Sequence, residues 1–144
     1  MESSESYRVH PIGWVRSKLK RPAEAPKQGF EGAPDAWLEV LEDFAPGLDG
    51  IEAGQDIMVL TWLHESERRV LKVHPRDDLR NPLTGVFATR SADRPNPIGL
   101  HRVKVLAVDE GFRLRVRGLE AIDGTPLVDI KPVLERADDS GPAP

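Results

Sequence analysis

Basic and apolar residues alternate strictly through Arg113-Leu114-Arg115-Val116-Arg117, the period of a strand with one wet and one buried face. Just upstream, Val103, Val105 and Ala107 alternate with Arg102 and Lys104, and Leu106 and Val108 make the second half apolar on both sides. Asp109-Glu110-Gly111 separates the two runs, so residues 102–117 are predicted to form a β-hairpin with a short Gly-containing turn. Asp56–His64 and Arg69–His74 are two further predicted strands around the polar link Glu65-Ser66-Glu67. Tyr7–Val15, Ala36–Leu41, Val86–Thr89 and Leu127–Ile130 complete a set of about six to eight short strands. Asp35–Phe44 fits a short helix as well as a strand, and periodicity does not decide between them. Ser91–Gly99 is predicted to be irregular, because Pro95 and Pro97 lack donors and restrict their predecessors.

Short strands broken by 12 glycines and 13 prolines predict a mainly β fold, a small single-domain β-barrel with little helix. The 144 residues suffice for one such domain. Its expected extent is residues 7–136, between a short N-terminal extension (1–6) and a polar C-terminal tail (137–144). Zero cysteines exclude disulfides and thiolate metal sites. The acidic, polar start is not a secretory signal, and no apolar run approaches the ~20 residues of a membrane span. A cytoplasmic protein with no membrane partner is therefore expected.

The formal net charge of −4 argues against a general polyanion binder, but the charge is unevenly spread. Residues 31–56 carry acids and no Lys or Arg. From His64 to Lys104 the bases Arg68, Arg69, Lys72, Arg76, Arg80, Arg90, Arg94, Arg102 and Lys104 outnumber the acids. That excess is either an electrostatic footprint for RNA or a solvated face of mixed charge.

Four segments offer candidate chemistry. In Gly85–Leu100 (GVFATRSADRPNPIGL) an apolar strand, Val86–Ala88, is expected to deliver Thr89, Arg90 and Ser91 into a stiff proline loop. Arg90 suits a carboxylate or phosphate through paired donors; the plainer reading is a rigid turn with its arginines in water. Asp123-Gly-Thr-Pro126 is a turn before Leu-Val-Asp-Ile-Lys-Pro132, where a strand puts Asp129 and Lys131 on one face, as a surface pair or a polar lining. Pro26-Lys-Gln-Gly29 lies in the structureless stretch Lys18–Pro34, either a plain loop or one that closes on a ligand. His64 and His74 end successive strands, and no further ligands stand at zinc-like spacing, so no metal is expected. A dinucleotide fingerprint, a phosphate loop and a Gly-x-Ser-x-Gly elbow are all absent.

The run GVFATRSADRPNPIGL followed by DGTPLVDIKP resembles the signature of the TsaA/YaeB-like family, the TrmO-type tRNA methyltransferases that use S-adenosylmethionine (SAM). The resemblance extends over roughly Tyr7 to Val133, with Ile12-Gly13 and Pro26-Lys27-Gln28 also fitting, and corresponds to a short form without the additional C-terminal domain of some relatives. It implies a small β-barrel, SAM as cofactor, a homodimer, and methylation of threonylcarbamoyl-adenosine beside the anticodon of tRNA. The SAM-binding residues it implies are Pro26, Lys27, Gln28, His64, Glu65, Arg90, Leu100, Glu120, Ile122, Asp123, Gly124 and Thr125. Asp129 or His64 is the implied catalytic proton acceptor. Three positions depart from the pattern: Lys27 replaces an arginine, Asp93 a histidine, and Val133 a tyrosine. Two alternatives stay open beside tRNA methylation, a methyltransferase for a small molecule and a SAM-binding sensor without transferase activity. A plain oligonucleotide-binding barrel needs exposed stacking aromatics, and aromatics are only 6% of this chain.

Overall fold

The computed structural model describes residues 4–19 and 34–134. Six strands close into a barrel in the order β1-β2-β7-β6-β3-β8, and the smaller pair β4-β5 lies outside it. The barrel strands are β1 (Gly13–Arg16), β2 (Ala36–Val40), β3 (Asp56–Trp62), β6 (Ile98–Asp109), β7 (Arg113–Arg117) and β8 (Pro126–Pro132). The outer pair is β4 (Lys72–Val73) and β5 (Thr84–Gly85). All pairings are antiparallel, and β8 closes the ring by pairing with β1 through Gly13↔Leu127 and Trp14↔Pro126. The expected mainly β, small barrel with little helix is what the chain forms, its helical residues lying in short 3₁₀ segments.

Alternation is what puts the core in place. Val15, Leu38, Val59, Val103, Val105, Leu114, Val116 and Leu127 all point inward and are essentially solvent-free. A small barrel is filled by such side chains and leaves no channel. Burying each of these aliphatic groups contributes roughly 1.5–3 kcal/mol. Connections that cross the two ends supply the plugs. Residues 41–55 carry Leu48 beneath one end, and residues 118–125 carry Leu119, Ala121 and Ile122 over the other. At Gly13 the backbones of β1 and β2 approach so closely that a Cβ would collide with the Glu39 carbonyl.

The β6–β7 hairpin forms as the alternation predicts. Glu110 (φ 54) and Gly111 (φ 78) both adopt the left-handed region, and the Phe112 amide donates to the Asp109 carbonyl at 3.2 Å. Asp35–Phe44 resolves into strand Ala36–Val40 followed by the 3₁₀ segment Glu42–Leu48, since Ala36, Leu38 and Val40 all face the core.

Other expectations are corrected. Val86–Ala88 is a 3₁₀ turn and not a strand, with Val86 buried and Phe87 80% exposed. The Val86 carbonyl, which a partner strand would take, accepts instead from the Arg94 guanidinium, the Thr89 amide and the Thr89 hydroxyl. In Arg69–His74 only Lys72 and Val73 pair, against Gly85 and Thr84. Tyr7–Val15 begins its strand only at Gly13: Ile12 still bonds to the Leu127 carbonyl and the Leu41 amide, but among the described residues the exposed Tyr7–Pro11 pair with no strand. β3 stops at Trp62, where the next amide, of Leu63, turns to the Pro97 carbonyl. Regular structure resumes at Ile98, one residue before Gly99, the expected end of the irregular loop.

Candidate functional site

One rim of the barrel collects the ends of β1, β3 and β7 and the starts of β2, β6 and β8. Three connections start and end there, from β1 to β2, from β3 to β6 and from β7 to β8. Every SAM-binding residue implied by the family resemblance belongs to one of them except Leu100, the third residue of β6. Pro26, Lys27 and Gln28 lie outside the described residues.

The connection into β6 is stiffened by its own side chains. Arg94 donates to the carbonyls of Val86 (2.7 Å), Ser91 (2.9 Å) and Thr89 (3.1 Å), so this guanidinium is consumed by the loop. Asp93, the position where histidine was expected, accepts from the Glu67 amide at 2.8 Å, and the Arg94 amide returns to the Glu67 carbonyl at 3.0 Å. Arg68 donates to Pro95 O and Asn96 Oδ1 while stacking 5.1 Å above the Trp62 ring. Arg90 differs from both. It follows the 3₁₀ turn, not a strand end, stands exposed, and makes only a long 3.4 Å contact to the Leu100 carbonyl. Its fork is available to an anion.

The crossing connection 118–125 is latched to the end of β1. Asp123 Oδ1 accepts from the Ser17 amide at 2.9 Å, the Asp123 amide donates to Leu19 O, and the Gly124 amide to Val15 O. Thr125 is buried, with its hydroxyl turned back to the Ile122 carbonyl at 2.7 Å. This latch fixes both the 118–125 segment and the point from which the 20–33 segment departs.

Inside the mouth, Glu120 accepts from His101 Nδ1 at 2.7 Å, and His101 Nε2 meets the Thr61 hydroxyl at 2.8 Å. His101 and Thr61 are both buried. The sequence reading overlooked these two, although His101 sits on the inward, otherwise apolar parity of β6 with Gly99, Val103 and Val105. A polar residue at such a position was a readable signal.

The two candidate proton acceptors are not members of the Thr61–His101–Glu120 series. His64 is exposed just beyond β3, with no hydrogen bond recorded to any described residue, and Glu65 beside it is exposed too. His74, by contrast, is tied through Nδ1 to the Asn81 carbonyl at 2.9 Å. A bulge in the β3–β8 ladder sends Leu127 and Ile130 inward and turns Asp129 out, opposite Leu60 and thus in one outer row with Leu100. Asp129 pairs with Lys131 at 3.5 Å, both about half exposed, which is a surface pair and not a polar lining. Among the described residues no cluster of three or more His, Asp or Glu side chains is arranged to hold a metal. A depression of about 680 Å³ at the opposite rim, between Gly47, Asp56, Lys104, Ile130 and Lys131, is lined by none of the implied residues.

The model of the tRNA-methyltransferase O N-terminal domain matches residues 14–139. A probable S-adenosyl-L-methionine-binding protein of Methanothermobacter thermautotrophicus is 42% identical over 139 residues, covering 96% of this chain and 98% of that protein. The probable S-adenosyl-L-methionine-binding protein VirR of Rhizobium radiobacter is 44% identical over 121 residues, 84% of this chain and 67% of its own length. Among solved structures, TrmO from Pseudomonas aeruginosa superposes with a TM-score of 0.72 at 31% identity over 97% of this chain. This chain spans 62% of the length of that structure. By the domain match and by its similarity to these relatives, the chain belongs to the tRNA-methyltransferase O N-terminal domain family.

Proposed function

We propose that this protein binds SAM at the rim where the described residues 17–19, 63–97 and 118–125 lie, and transfers its methyl group to the exocyclic nitrogen of threonylcarbamoyl-adenosine in tRNA. The observation that carries the reading is that two consecutive residues of β6 contact opposite charges near that rim, Leu100 through its carbonyl the exposed Arg90 and His101 through its ring the anchored Glu120. SAM is a zwitterion with a ribose diol, so a free guanidinium suits its carboxylate and a carboxylate suits its ammonium or hydroxyls. The names borne by the relatives, SAM-binding proteins and a tRNA methyltransferase, agree with that assignment.

The sulfonium supplies an activated methyl donor, so the protein's task is to hold acceptor nitrogen, methyl carbon and sulfur in line. Positioning of this kind is worth roughly 7–11 kcal/mol of barrier. When bound, SAM would supply the methyl group, and the acceptor nitrogen's proton would leave to an acceptor near the rim. His64, exposed on the loop beyond β3, is one candidate, and Asp129 on the outer row with Leu100 is the other. An unpaired anticodon-loop base presents its edge to such a site without duplex opening.

A homodimer is part of the proposal. Leu71, Leu79, Leu83 and Phe87 are each more than half exposed, and all four lie in the single connection 63–97. Apolar groups concentrated in one excursion mark a contact surface. A second copy of the chain is the partner this reading assigns to it, and sedimentation velocity reads the mass directly.

The test is calorimetry with SAM on wild type and Arg90→Ala, followed by total tRNA with methyl-labelled SAM. Micromolar binding weakened by the substitution, with label in tRNA, supports both pocket and substrate. Label recovered in the small-molecule fraction identifies the small-molecule methyltransferase instead. Binding without transfer of label identifies a sensor, and absence of binding overturns the assignment.

A further inference from the structure

Position 101 is an unusual place for histidine. It occupies the inward parity of β6, where its neighbours on the same face are Gly99, Val103 and Val105, and only 5% of it is exposed. Burying imidazole and hydroxyl groups among aliphatic side chains is costly unless their hydrogen bonds are made. Here they are made in series, from Thr61 through His101 to Glu120. An ionised carboxylate only accepts, so Nδ1 carries the proton of the 2.7 Å bond. In the neutral ring Nε2 then accepts the Thr61 hydroxyl proton at 2.8 Å, and the ring is held at both nitrogens.

Space for the ring comes from Gly99. A Cβ at that position would collide with Thr61 Oγ1 and lie 2.6 Å from His101 Nε2, so any side chain there would break the Thr61–His101 bond. The series ends at the mouth. Glu120 is 23% exposed through its side chain, Oε1 is taken by His101, and no described residue bonds to Oε2. Consecutive residues of β6 therefore hold the two charges of the rim, Leu100 through its carbonyl to Arg90 and His101 through its ring to Glu120.

We propose that His101, braced by Thr61, is a positioning residue that fixes the Glu120 carboxylate as acceptor for the hydrogen-donating part of bound SAM, its ribose diol or its ammonium. The proposal rests on the SAM-binding function above. His101 touches no ligand itself. Its effect is to remove the rotational freedom of a glutamate that binding would otherwise have to freeze.

The experiment measures dissociation constants for SAM and for 5′-methylthioadenosine, which keeps the ribose and lacks the ammonium. The proteins are wild type, His101→Phe, His101→Asn and Glu120→Gln, each with its melting temperature. His101→Phe removes both bonds, and SAM affinity is expected to fall about tenfold. His101→Asn keeps an N–H near the Nδ1 position and is expected to restore most of that loss. Glu120→Gln is expected to lose as much as His101→Phe. Equal losses for 5′-methylthioadenosine assign the acceptor to the ribose diol, and an unchanged affinity for it assigns the ammonium.

Wild-type affinity in both His101→Phe and Glu120→Gln overturns the proposal while leaving SAM binding intact. So do His101→Phe and His101→Asn that lose affinity and melting temperature together, since rescue then fails and the role is structural. If His101→Phe does not fold, Glu120→Gln decides, with wild-type affinity overturning the proposal. A wild-type protein that binds no SAM overturns the function reading, and this inference with it.

Discussion

Arg94 donates to the Val86 carbonyl at 2.7 Å, the shortest of three bonds by which its guanidinium closes the loop in front of β6. Arg90, four residues earlier, makes only a 3.4 Å contact. Two arginines of one motif thus separate into one held by the loop and one left exposed. Arg94→Ala is expected to cost about 1–3 kcal/mol of stability, because the Thr89 and Ser91 carbonyls lose this donor and the Val86 carbonyl loses one of its three. Arg90→Ala is expected to leave the melting temperature within a degree or two of wild type and to weaken SAM binding by about tenfold or more. Thermal denaturation beside calorimetry checks the pair, and a melting temperature that falls further for Arg90→Ala than for Arg94→Ala contradicts the assignment.

Asp123 links the 118–125 connection to the end of β1 through the Ser17 amide. Asp123→Ala removes that acceptor and is expected to destabilise the protein by about 1–2 kcal/mol. The loss is local, so amide exchange should accelerate at residues 17–19 and 119–125 while β6 and β7 stay protected. Uniform acceleration across all strands would contradict the latch.

Asp56 lies between Arg102 (2.9 Å) and Lys104 (3.1 Å) on the outer face. The Arg102 hydrogen bond first, and the Lys104 bond after it, hold its carboxyl below the ordinary carboxylate value. A depressed folded pKa means the pair contributes stability above the unfolded value of about 3.9 and loses it as pH falls through the folded value. The group is partly solvated, so the contribution is at most about 1 kcal/mol. Asp56→Asn is therefore expected to be slightly less stable than wild type at pH 7, with the gap closing in acid below about pH 4. Urea denaturation at the two pH values measures it, and a gap that widens in acid reverses the sign.

Elements whose burial is set along the strand itself were legible in the sequence. β7 and the first half of β6 alternate because one face is wet, and Glu110-Gly111 supplies the tight turn between them. What alternation cannot carry is the partner. Whether Tyr7–Ile12 pairs depends on a neighbouring strand being present: Ile12 still bonds to Leu127 and Leu41 on its two sides, whereas Tyr7–Pro11 pair with no strand among the described residues. Val86–Ala88 has strand-like composition, but its hydrogen bonds are claimed by Arg94 and Thr89 from across the loop. The outward turn of Asp129 likewise follows from a bulge in the β3–β8 ladder, a feature of pairing that no local pattern encodes. The site divides in the same way. Arg90 and the 118–125 segment were reached through motif resemblance, whereas the Thr61–His101 bond joins residues 40 apart in the chain.

Gly99 tests the packing of that mouth directly. Its φ is not in the left-handed region and it is buried, so conformational freedom is not what the position requires; space is. Gly99→Ala forces a methyl group onto the Thr61–His101 bond, and neither backbone nor ring has room to yield inside a barrel filled by Val59, Val103 and Leu127. Overpacking of this kind costs about 1–3 kcal/mol. The double variant Gly99→Ala with Thr61→Ala removes the nearest colliding atom and should recover part of the loss, giving a coupling energy of the opposite sign. Urea denaturation of the four proteins completes the cycle, and strictly additive losses would mean that the methyl group strains something other than this hydrogen bond.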